Sequence, residues 1–429
     1  MCGSALQGAE VGKDLDGSEH ILHHTVSGGE GNRSRQRDKG ITWPARHLAR
    51  DIGARGPGSQ GERAAARFID KELKALGLPV EDQVFKTPAT TAWSEMLVHL
   101  ITLIGVLIFP LNSHISYGLV CLGFFLFLLE SYGRSPLAWL QIHRRSENVI
   151  ARINSLRPSK RTLVLIAHMD SPRAAFYHHR GLDRLIGSAI LLDFLCMAAI
   201  FMILTMSYAG YLLSMEEETL SFFWYMGLIA SIPPSLALIA LLIKAAGGSA
   251  TPGGNDNASG VAVLLELARV YTRRQPHSTD LWLVSTGSSD AGGAGVRKLI
   301  KKYRRELKGV NFILIEGVGR GFPVCYKREG RLISFRANRK LTGLARRISD
   351  EHAHYSAGLR RNNLYLGDGF QLLSRGRKAI TVSSREESRY PRFWRSSKDD
   401  YDNIDPRSLR LSLDFMTAMV DNIDHGDIK

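Results

Sequence analysis

Polar residues of the kinds that bind metal ions follow several short apolar runs of the sequence. After the run 162–167 come His168 and Asp170, which the two-residue period of a strand places on the same side. A histidine beside a carboxylate suits a zinc ligand whose partner orients the imidazole ring. A lone His-x-Asp string also arises often by chance, so this pair alone is weak evidence.

A second polar string, residues 253–260, reads Gly-Gly-Asn-Asp-Asn-Ala-Ser-Gly and leads into an apolar helical pattern. Its Asp256 is a candidate metal ligand. The alternative is an ordinary loop and helix start, in which Asp256 or Ser259 caps the helix that follows. The string taken alone leaves both interpretations open.

Two further apolar runs are followed by polar residues. Ser289 and Asp290 come shortly after the run 280–286, and Glu316 follows the run 312–315 directly. Ligand sites of parallel sheets form at the carboxyl ends of the strands. We therefore expect these side chains to meet the first two strings at one edge of a sheet.

The elements that must position these residues alternate between strands and helices. Continuous apolar, β-branched runs predict strands at 148–153, 162–167, 280–286 and 312–315. Amphipathic patterns around them predict helices at 60–76, 259–273 and 296–306. This alternation predicts an α/β fold with a mostly parallel sheet flanked by helices.

Two long apolar blocks interrupt this pattern and predict transmembrane helical hairpins at 93–133 and 185–244. For the first block the alternative is a hairpin buried in a soluble protein. Pro233-Pro234 should kink the last helix of the second block. Asp193 lies within the second block, either as a functional intramembrane carboxylate or as a residue that snorkels or faces a neighbouring helix.

The charges around the hairpins predict their orientation. The tip loops contain no Lys or Arg, and one carries Glu216, Glu217 and Glu218, whereas the opposite flanks are basic. This pattern predicts an integral protein of a plasma or inner membrane, with the α/β domain facing the cytoplasm. Attraction to anionic membrane lipids then explains much of the formal charge of +15. No nucleic-acid-binding motif accompanies the basic residues, so we predict no nucleic-acid partner.

The remaining segments give the domain organisation. Residues 1–45 are polar and lack an apolar signal segment, and we predict that they form a disordered tail. The α/β domain is predicted from the segments 46–92, 147–184 and 245–429. None of the four cysteines forms a Cys-x-x-Cys pair, which disfavours a disulfide framework or a cysteine zinc site. The oligomeric state has no signal in the sequence.

Taken in order, the polar strings resemble those of the zinc-dependent exopeptidases of peptidase family 28, which include aminopeptidases, glutamate carboxypeptidases and glutaminyl cyclases. The string Asn-Asp-Asn-Ala-Ser-Gly-Val-Ala at 255–262 is the most specific part of the resemblance. The opening at 52–59 and the helix at 60–76 also match the family pattern. The resemblance covers residues 46–92, 147–178 and 251–424.

The resemblance implies a pair of zinc ions that share one aspartate, which by position is Asp256. His168 and Glu316 would complete the site of one ion, and Asp170 would orient His168. The family usually has aspartate at the position of Glu316, and the longer glutamate still binds zinc with a shifted geometry.

The positions that the family uses for the other half of the site differ here. The family's general-base glutamate corresponds to Ser289, and the ligand beside it corresponds to Asp290, a weak match. The family's final histidine ligand corresponds to Arg395, in the segment 394–404, and a guanidinium stays protonated and cannot bind zinc. The resemblance therefore implies one zinc ion at most.

These changes lead to two hypotheses on function. The first is a membrane-integrated metallopeptidase-like protein whose inherited exopeptidase activity on amide bonds is weakened or redirected. The alternative is an inactive pseudo-peptidase that acts as a membrane-tethered binding or scaffold module. Membrane lipids and a small peptide or membrane-proximal amide are the expected ligands, because the second hairpin lies between two of the site's polar strings and should bring the cleft near the membrane.

Individual side chains leave further alternatives open. Arg395 either pairs with Asp290 as a structural replacement or binds a carboxylate or phosphate of a ligand. A carboxylate that replaces the missing general base is available in Asp368, Glu386 or Glu387. For the last two, a solvent-exposed loop is the favoured interpretation.

Overall fold

The computed structural model describes most of the chain from Gly40 onwards. The described residues are 40–174, 183–247, 249–355, 357–363, 366–386 and 393–426. Most of the predicted tail and Glu387 lie outside them. The predicted boundary of the tail at residue 45 is wrong, because Ile41, Pro44 and Ala45 are buried and a helix begins at Thr42.

A nine-stranded sheet forms the centre of the α/β domain. In chain order its strands are β1 (Val80–Pro88), β2 (His143–Ile153), β3 (Arg161–His168), β4 (Thr279–Thr286), β5 (Asn311–Ile315), β6 (Phe322–Glu329), β7 (Phe335–Arg336), β8 (Gly358–Asn362) and β9 (Lys378–Arg385). Their order across the sheet is β1-β2-β4-β3-β5-β9-β6-β7, and β8 pairs with β6.

The prediction of a mostly parallel sheet is wrong, because the sheet is mixed. The four central strands β4, β3, β5 and β9 run parallel. The apolar runs predicted three of them, and β9 was not predicted. Strands β1 and β2 add to one side in antiparallel orientation, and β6 pairs antiparallel with β9 and β7 on the other. The α/β fold with helices flanking a sheet is confirmed.

The helices of the α/β domain cover both faces of this sheet. They are α1 (Thr42–Arg46), α2 (Gln60–Ala75), α8 (Ser259–Arg273), α9 (Ala294–Lys302), α10 (Arg339–Glu351), α11 (Asp368–Leu373) and α12 (Pro406–His425). The numbers α3 to α7 belong to the apolar helices Ala92–Ile108, Ser113–Ser131, Asp183–Leu212, Glu217–Ala230 and Ile232–Gly247. Short helical turns occupy His47–Ile52, Pro136–Leu140, Gly254–Ala258, Ala353–Tyr355 and Tyr401–Asn403.

Alternation along the central strands creates two hydrophobic cores, one on each face. In β3, Leu163 and Leu165 point into the larger core, while Val164 and Ile166 point into the smaller one. Because both faces are covered by helices, this strand is apolar at consecutive positions. Its first polar residue at the carboxyl end is His168, where the covering helices no longer exclude polar groups.

The apolar helices α3 to α7 form the two predicted hairpins. By length and composition, three described helical stretches could cross a membrane, at Ser113–Ser131, Leu185–Leu212 and Glu217–Ala246; α3 is apolar but shorter. Large apolar side chains on these helices are exposed, among them Leu107, Phe222 and Leu236 at about 60%. Soluble proteins seldom expose large contiguous apolar patches.

Close packing between the helices of the hairpins involves two glycines and Asp193. Gly105 and Gly123 allow α3 and α4 to approach closely, since an added Cβ would meet Val120 or Thr102. Asp193 on α5 faces a neighbouring helix, with His99 Nε2 3.2 Å from its Oδ2 atom. The helix is interrupted at Ser231, just before the Pro-Pro pair at which a kink was predicted, because α6 ends at Ala230 and α7 begins at Ile232.

Candidate functional site at the carboxyl edge of the central strands

The parallel strands bring the polar strings to one edge of the sheet. Residue His168 at the end of β3 lies in register with Thr286 at the end of β4. Glu316 follows the last residue of β5, and its backbone N–H donates to the Val382 carbonyl of β9. The buried loop that carries Asp256 packs against the same edge, so the predicted convergence of the strings is confirmed.

His168 lies between two carboxylates. Its Nε2 atom is 3.1 Å from Asp256 Oδ1, and its Nδ1 atom is 3.0 Å from the Asp170 carbonyl and 3.5 Å from the Asp170 carboxylate. Burial disfavours the imidazolium, but the two carboxylates outweigh it and raise the pKa of His168 well above its usual value. The ring is thus held at both nitrogens.

Asp170 contacts His168 and also binds the backbone of the turn at Ser289 and Asp290. Its two carboxylate oxygens accept the backbone N–H groups of Ser289 and Asp290, each at 2.9 Å. The carboxylate therefore fixes the strand-end turn that carries the positions of the family's general base and adjacent ligand.

Asp256 is held by side chains from the segment 394–404. The Asp399 carboxylate accepts the backbone N–H groups of Asn255 and Asp256, and Trp394 Nε1 donates to Asp256 Oδ2 at 2.9 Å. Burial alone would raise the pKa of Asp256, but its contact with His168 and the charge of Arg395 lower it. The alternative of a helix cap is wrong for this loop, because the cap residue of α8 is Ala258 and it has no side-chain cap.

Arg395 forms an internal ion pair in the cleft. Its Nη2 atom lies 2.8 Å from Asp290 Oδ1, and both side chains are buried. The guanidinium carbon is 4.9 Å from the centre of the Trp394 ring, within cation–π range. The backbone of Arg395 is left-handed, with φ of 52°, which costs a residue with a side chain roughly 1–2 kcal/mol. The surrounding contacts hold it in this conformation.

One buried arginine joins the two loops of the site. The Arg55 side chain is fully buried and donates to five backbone carbonyls, those of Leu48, Gly53, Met169, Pro252 and Gly253. Desolvation lowers its pKa to about 10, against the charges of nearby aspartates. Arg55 therefore binds the loop after β3 to the loop that carries Asp256.

The candidate replacement bases differ in position. Asp368 is buried, accepts a bond from Thr286 Oγ1 at 2.6 Å and lies beside Ser289. Burial raises its pKa, and hydrogen bonds from those two residues oppose the shift. Glu386 pairs instead with Arg320 at 2.7 Å, in keeping with the solvent-exposed interpretation.

The side chains can be tested against the zinc pair that the resemblance implies. A shared aspartate needs one oxygen for each ion, but Asp256 Oδ2 accepts the Trp394 bond. Asp290, the next ligand position of the second ion, is paired with Arg395. Within the described residues, no three His, Cys, Asp or Glu side chains are close enough to hold a metal ion. The donor set therefore does not fit a zinc pair, and the triad of His168, Asp256 and Glu316 for a single ion stays a prediction.

The fold and the position of this site define the class of the protein: an α/β exopeptidase-like protein with apolar hairpins inserted beside the cleft. Residues 242–420 match the model of peptidase family M28. The resemblance to this family that the sequence predicted is confirmed over this part of the chain.

Solved structures show the same fold. An aminopeptidase from Aneurinibacillus sp. strain AM-1 is 15% identical, with a TM-score of 0.51 and coverage of 89% of this chain and 92% of that one. BSAP, a zinc aminopeptidase from Bacillus subtilis, is 13% identical, with a TM-score of 0.51 and coverage of 89% and 94%. LapB from Legionella pneumophila is 12% identical, with a TM-score of 0.51 and coverage of 95% and 78%. No curated protein matches the chain.

Sequence reasoning missed three residues that build the site. Arg55 belongs to the quoted opening at 52–59, but its role depends on carbonyl groups that only the fold brings together. Trp394 and Asp399 lie in the segment that the sequence singled out for Arg395. An available signal was their place in the family's segment, where an aromatic residue precedes the histidine and an aspartate follows it.

Proposed function

We propose that this protein is a membrane-integrated member of the M28 fold whose cleft binds a ligand without efficient peptide hydrolysis. The observation that carries the proposal is the Arg395–Asp290 ion pair at 2.8 Å. A fixed guanidinium stands where the family resemblance implies a second zinc ion, and it takes up one of that ion's carboxylates.

The chemistry of the side chains supports this proposal. The family and the zinc aminopeptidase from Bacillus subtilis imply zinc dependence in an unaltered member. Hydrolysis needs a group that lowers the pKa of water and a base that accepts its proton. A guanidinium neutralises charge but does not supply the first function. Ser289 is a poor proton acceptor, so it does not supply the second.

The apolar helices support membrane integration. Three described helical stretches are long and apolar enough to span, and their exposed apolar side chains need a lipid surrounding. The hairpins are inserted before β2 and between β3 and α8, so both join the α/β domain near the site. We propose that the domain lies on the cytoplasmic side of a plasma or inner membrane, with membrane lipids as its neighbours.

Activity measurements on detergent-purified protein test the proposal. The wild type should hydrolyse a panel of aminoacyl and dipeptide substrates no faster than Ser289→Ala in the presence of zinc. Turnover of the wild type at the rate of an ordinary aminopeptidase, abolished by His168→Ala, would overturn the proposal. The double variant Ser289→Glu/Arg395→His restores the family residues and asks whether the cleft itself remains competent.

The orientation needs its own test. A cysteine placed at Glu217, in the tip of the second hairpin, should react with an impermeant maleimide added outside intact cells. A matched cysteine at Lys308, in the α/β domain, should react only after permeabilisation. The reverse pattern would place the domain outside.

A second candidate function is a slow exopeptidase, and Asp368 favours it. This buried carboxyl lies beside Ser289, the position of the family's base. If slow hydrolysis is found, Asp368→Asn should lower kcat by about 100-fold, within the usual range for a general base, while KM changes little. Glu386→Gln is the matched control and should have no effect.

A further inference from the structure

A small pocket, part of it open to solvent, joins the altered half of the site to the bases of both hairpins. The family's fold alone does not contain this pocket, because its walls come partly from the inserted helices. The charged residues that line it are Glu95, Glu130, Lys244, Asp290, Arg331 and Arg395. Three are acidic and three are basic.

Four of these six charges are paired within the wall. Arg395 pairs with Asp290 at 2.8 Å, and Arg331 lies 3.9 Å from Glu95. Glu130 and Lys244 remain, one on the first hairpin and one on the second. They are of opposite sign and are not paired with each other within hydrogen-bond distance.

Lys244 is a largely buried lysine near the end of α7. The residue is 9% exposed, and in the part of the chain that the structure describes it makes no hydrogen bond or ion pair. Burial of a charged group is costly unless an opposite charge or hydrogen-bond acceptors surround it. The walls of the pocket leave room for such an acceptor on a ligand.

Glu130 offers the complementary feature. Its Oε2 atom accepts a bond from Ser135 Oγ at 2.7 Å. Its Oε1 atom is buried and has no hydrogen-bond partner among the described residues. This oxygen can accept a hydrogen bond from a donor that enters the pocket, and an ammonium is the donor best suited to a carboxyl group.

We propose that this pocket binds a small zwitterionic group, with an oxyanion at Lys244 and a primary ammonium at Glu130. The inference rests on the proposed function, in that it takes the cleft as a binding site beside a membrane. The shared chemistry is an amine and a phosphate or carboxylate a few bonds apart. An aminophospholipid headgroup supplies it from the membrane, and a free amino acid or phosphoethanolamine supplies it from solution.

The binding test uses the full chain in detergent and in lipid nanodiscs. Calorimetry measures the affinity for soluble O-phosphoethanolamine, with inorganic phosphate and ethanolamine as single-charge probes. Native mass spectrometry measures lipid retained from nanodiscs that contain phosphatidylethanolamine, phosphatidylcholine or phosphatidylglycerol. The variants are Lys244→Met, Lys244→Arg and Glu130→Gln. Lys301→Met, on the exposed end of α9, is the matched control.

The zwitterion should bind more tightly than either single-charge probe. Lys244→Met should weaken its binding by about tenfold or more, the loss expected from one charge-assisted hydrogen bond. Lys244→Arg should retain binding, which separates lost charge from misfolding, and Glu130→Gln should weaken binding of the amine-containing probes alone. Lys301→Met should bind as the wild type does.

The nanodisc and calorimetry experiments together distinguish a lipid headgroup from a soluble ligand. Retention of phosphatidylethanolamine over phosphatidylcholine, whose methylated amine cannot donate, assigns the site to a lipid headgroup. Binding of soluble O-phosphoethanolamine without lipid selectivity assigns it to a soluble ligand. Equal binding by Lys244→Met and the wild type, or no binding of any probe, would overturn the inference. These readouts involve no hydrolysis, so an active peptidase would contradict the proposed function without affecting them.

Discussion

The two halves of the site balance their charges in different ways. In one half, His168 lies between the carboxylates of Asp170 and Asp256, and the family's donor residues remain in place. In the other half, Asp290 is balanced by Arg395 from within the chain. Under the proposed function, the substitution at one ligand position replaces a bound cation with a covalently attached one.

The backbone around both halves is the same kind of scaffold. Asp170 holds the turn at Ser289 and Asp290 through two backbone N–H groups, and Asp399 holds the Asp256 loop in the same way. The altered half is therefore not a collapsed site. Hydrogen bonds to backbone N–H groups fix its loops as they do in the other half.

The largest expected effect on the free energy of unfolding comes from replacing Arg55, the arginine that joins the two loops. Arg55→Met removes five hydrogen bonds to buried carbonyls and should lower the free energy of unfolding by about 5 kcal/mol. Thermal unfolding in detergent measures the loss. Arg50→Met, at an exposed position with a 3.7 Å ion pair, should change it by less than about 0.5 kcal/mol. Equal stability of the two variants would contradict a role for Arg55 in joining the loops.

The altered half should depend strongly on its internal cation. Arg395→Met leaves Asp290 buried without an opposite charge and should cost about 3 kcal/mol in unfolding free energy. Adding Asp290→Asn should recover part of the loss, because the uncompensated charge is removed. If the two single changes are additive, the ion pair does not stabilise this half.

A buried carboxyl behind the altered half should make stability depend on pH. Burial raises the pKa of Glu329 to about 7, although hydrogen bonds from Thr381 and Asn362 lower it; the charge of Asp368 adds a smaller rise. The folded state then keeps a proton that the unfolded state releases above about pH 4.5, so stability falls as pH rises from about 4.5 to 7. The slope is at most about 1.4 kcal/mol per pH unit. Above pH 7 this contribution no longer changes.

Unfolding midpoints between pH 4.5 and 8 test this dependence. Glu329→Gln should flatten the decline, whereas Glu351→Gln on the exposed end of α10 should leave it unchanged. A steeper decline in Glu329→Gln would contradict the sign of the predicted effect.

The smallest expected effect on the free energy of unfolding comes from removing the hydrogen bond between Trp394 and Asp256. Trp394→Phe removes the donor to Asp256 Oδ2 but keeps an aromatic ring near Arg395, and it should cost about 1 kcal/mol. Trp139→Phe is the control, because Trp139 is 72% exposed. A larger loss than that of Arg395→Met would mean that the Asp256 contact, and not the ion pair, dominates the site.

The sequence predicted β3, β4 and β5 because their apolar runs reflect burial on both faces. It did not predict β6 and β8, for the opposite reason. Strand β6 contains Lys327 and Arg328 and β8 contains Arg360 and Arg361, so neither has a continuous apolar run. The antiparallel direction of β2 could not be foreseen, since it depends on how a long inserted hairpin returns the chain to the sheet.

The same limit applies to the candidate site. His168, Asp256, Asp290 and Arg395 could be found because strand ends and the family pattern place them, and the Arg395–Asp290 pair was one stated alternative. The roles of Arg55 and Asp399 could not, because they bind backbone groups that are distant in the sequence. The buried ammonium of Lys244 is equally invisible, since the sequence shows it only as a flanking basic residue of a hairpin.

The metal content of the purified chain tests the central claim most directly. After equilibration with excess zinc and removal of loosely bound ions, mass spectrometry of the metal gives the number of zinc ions per chain. The wild type should retain one ion or none, and Arg395→His should retain one more than the wild type. Two tightly bound zinc ions in the wild type, or the same content in both proteins, would contradict the account that Arg395 stands in place of the second ion.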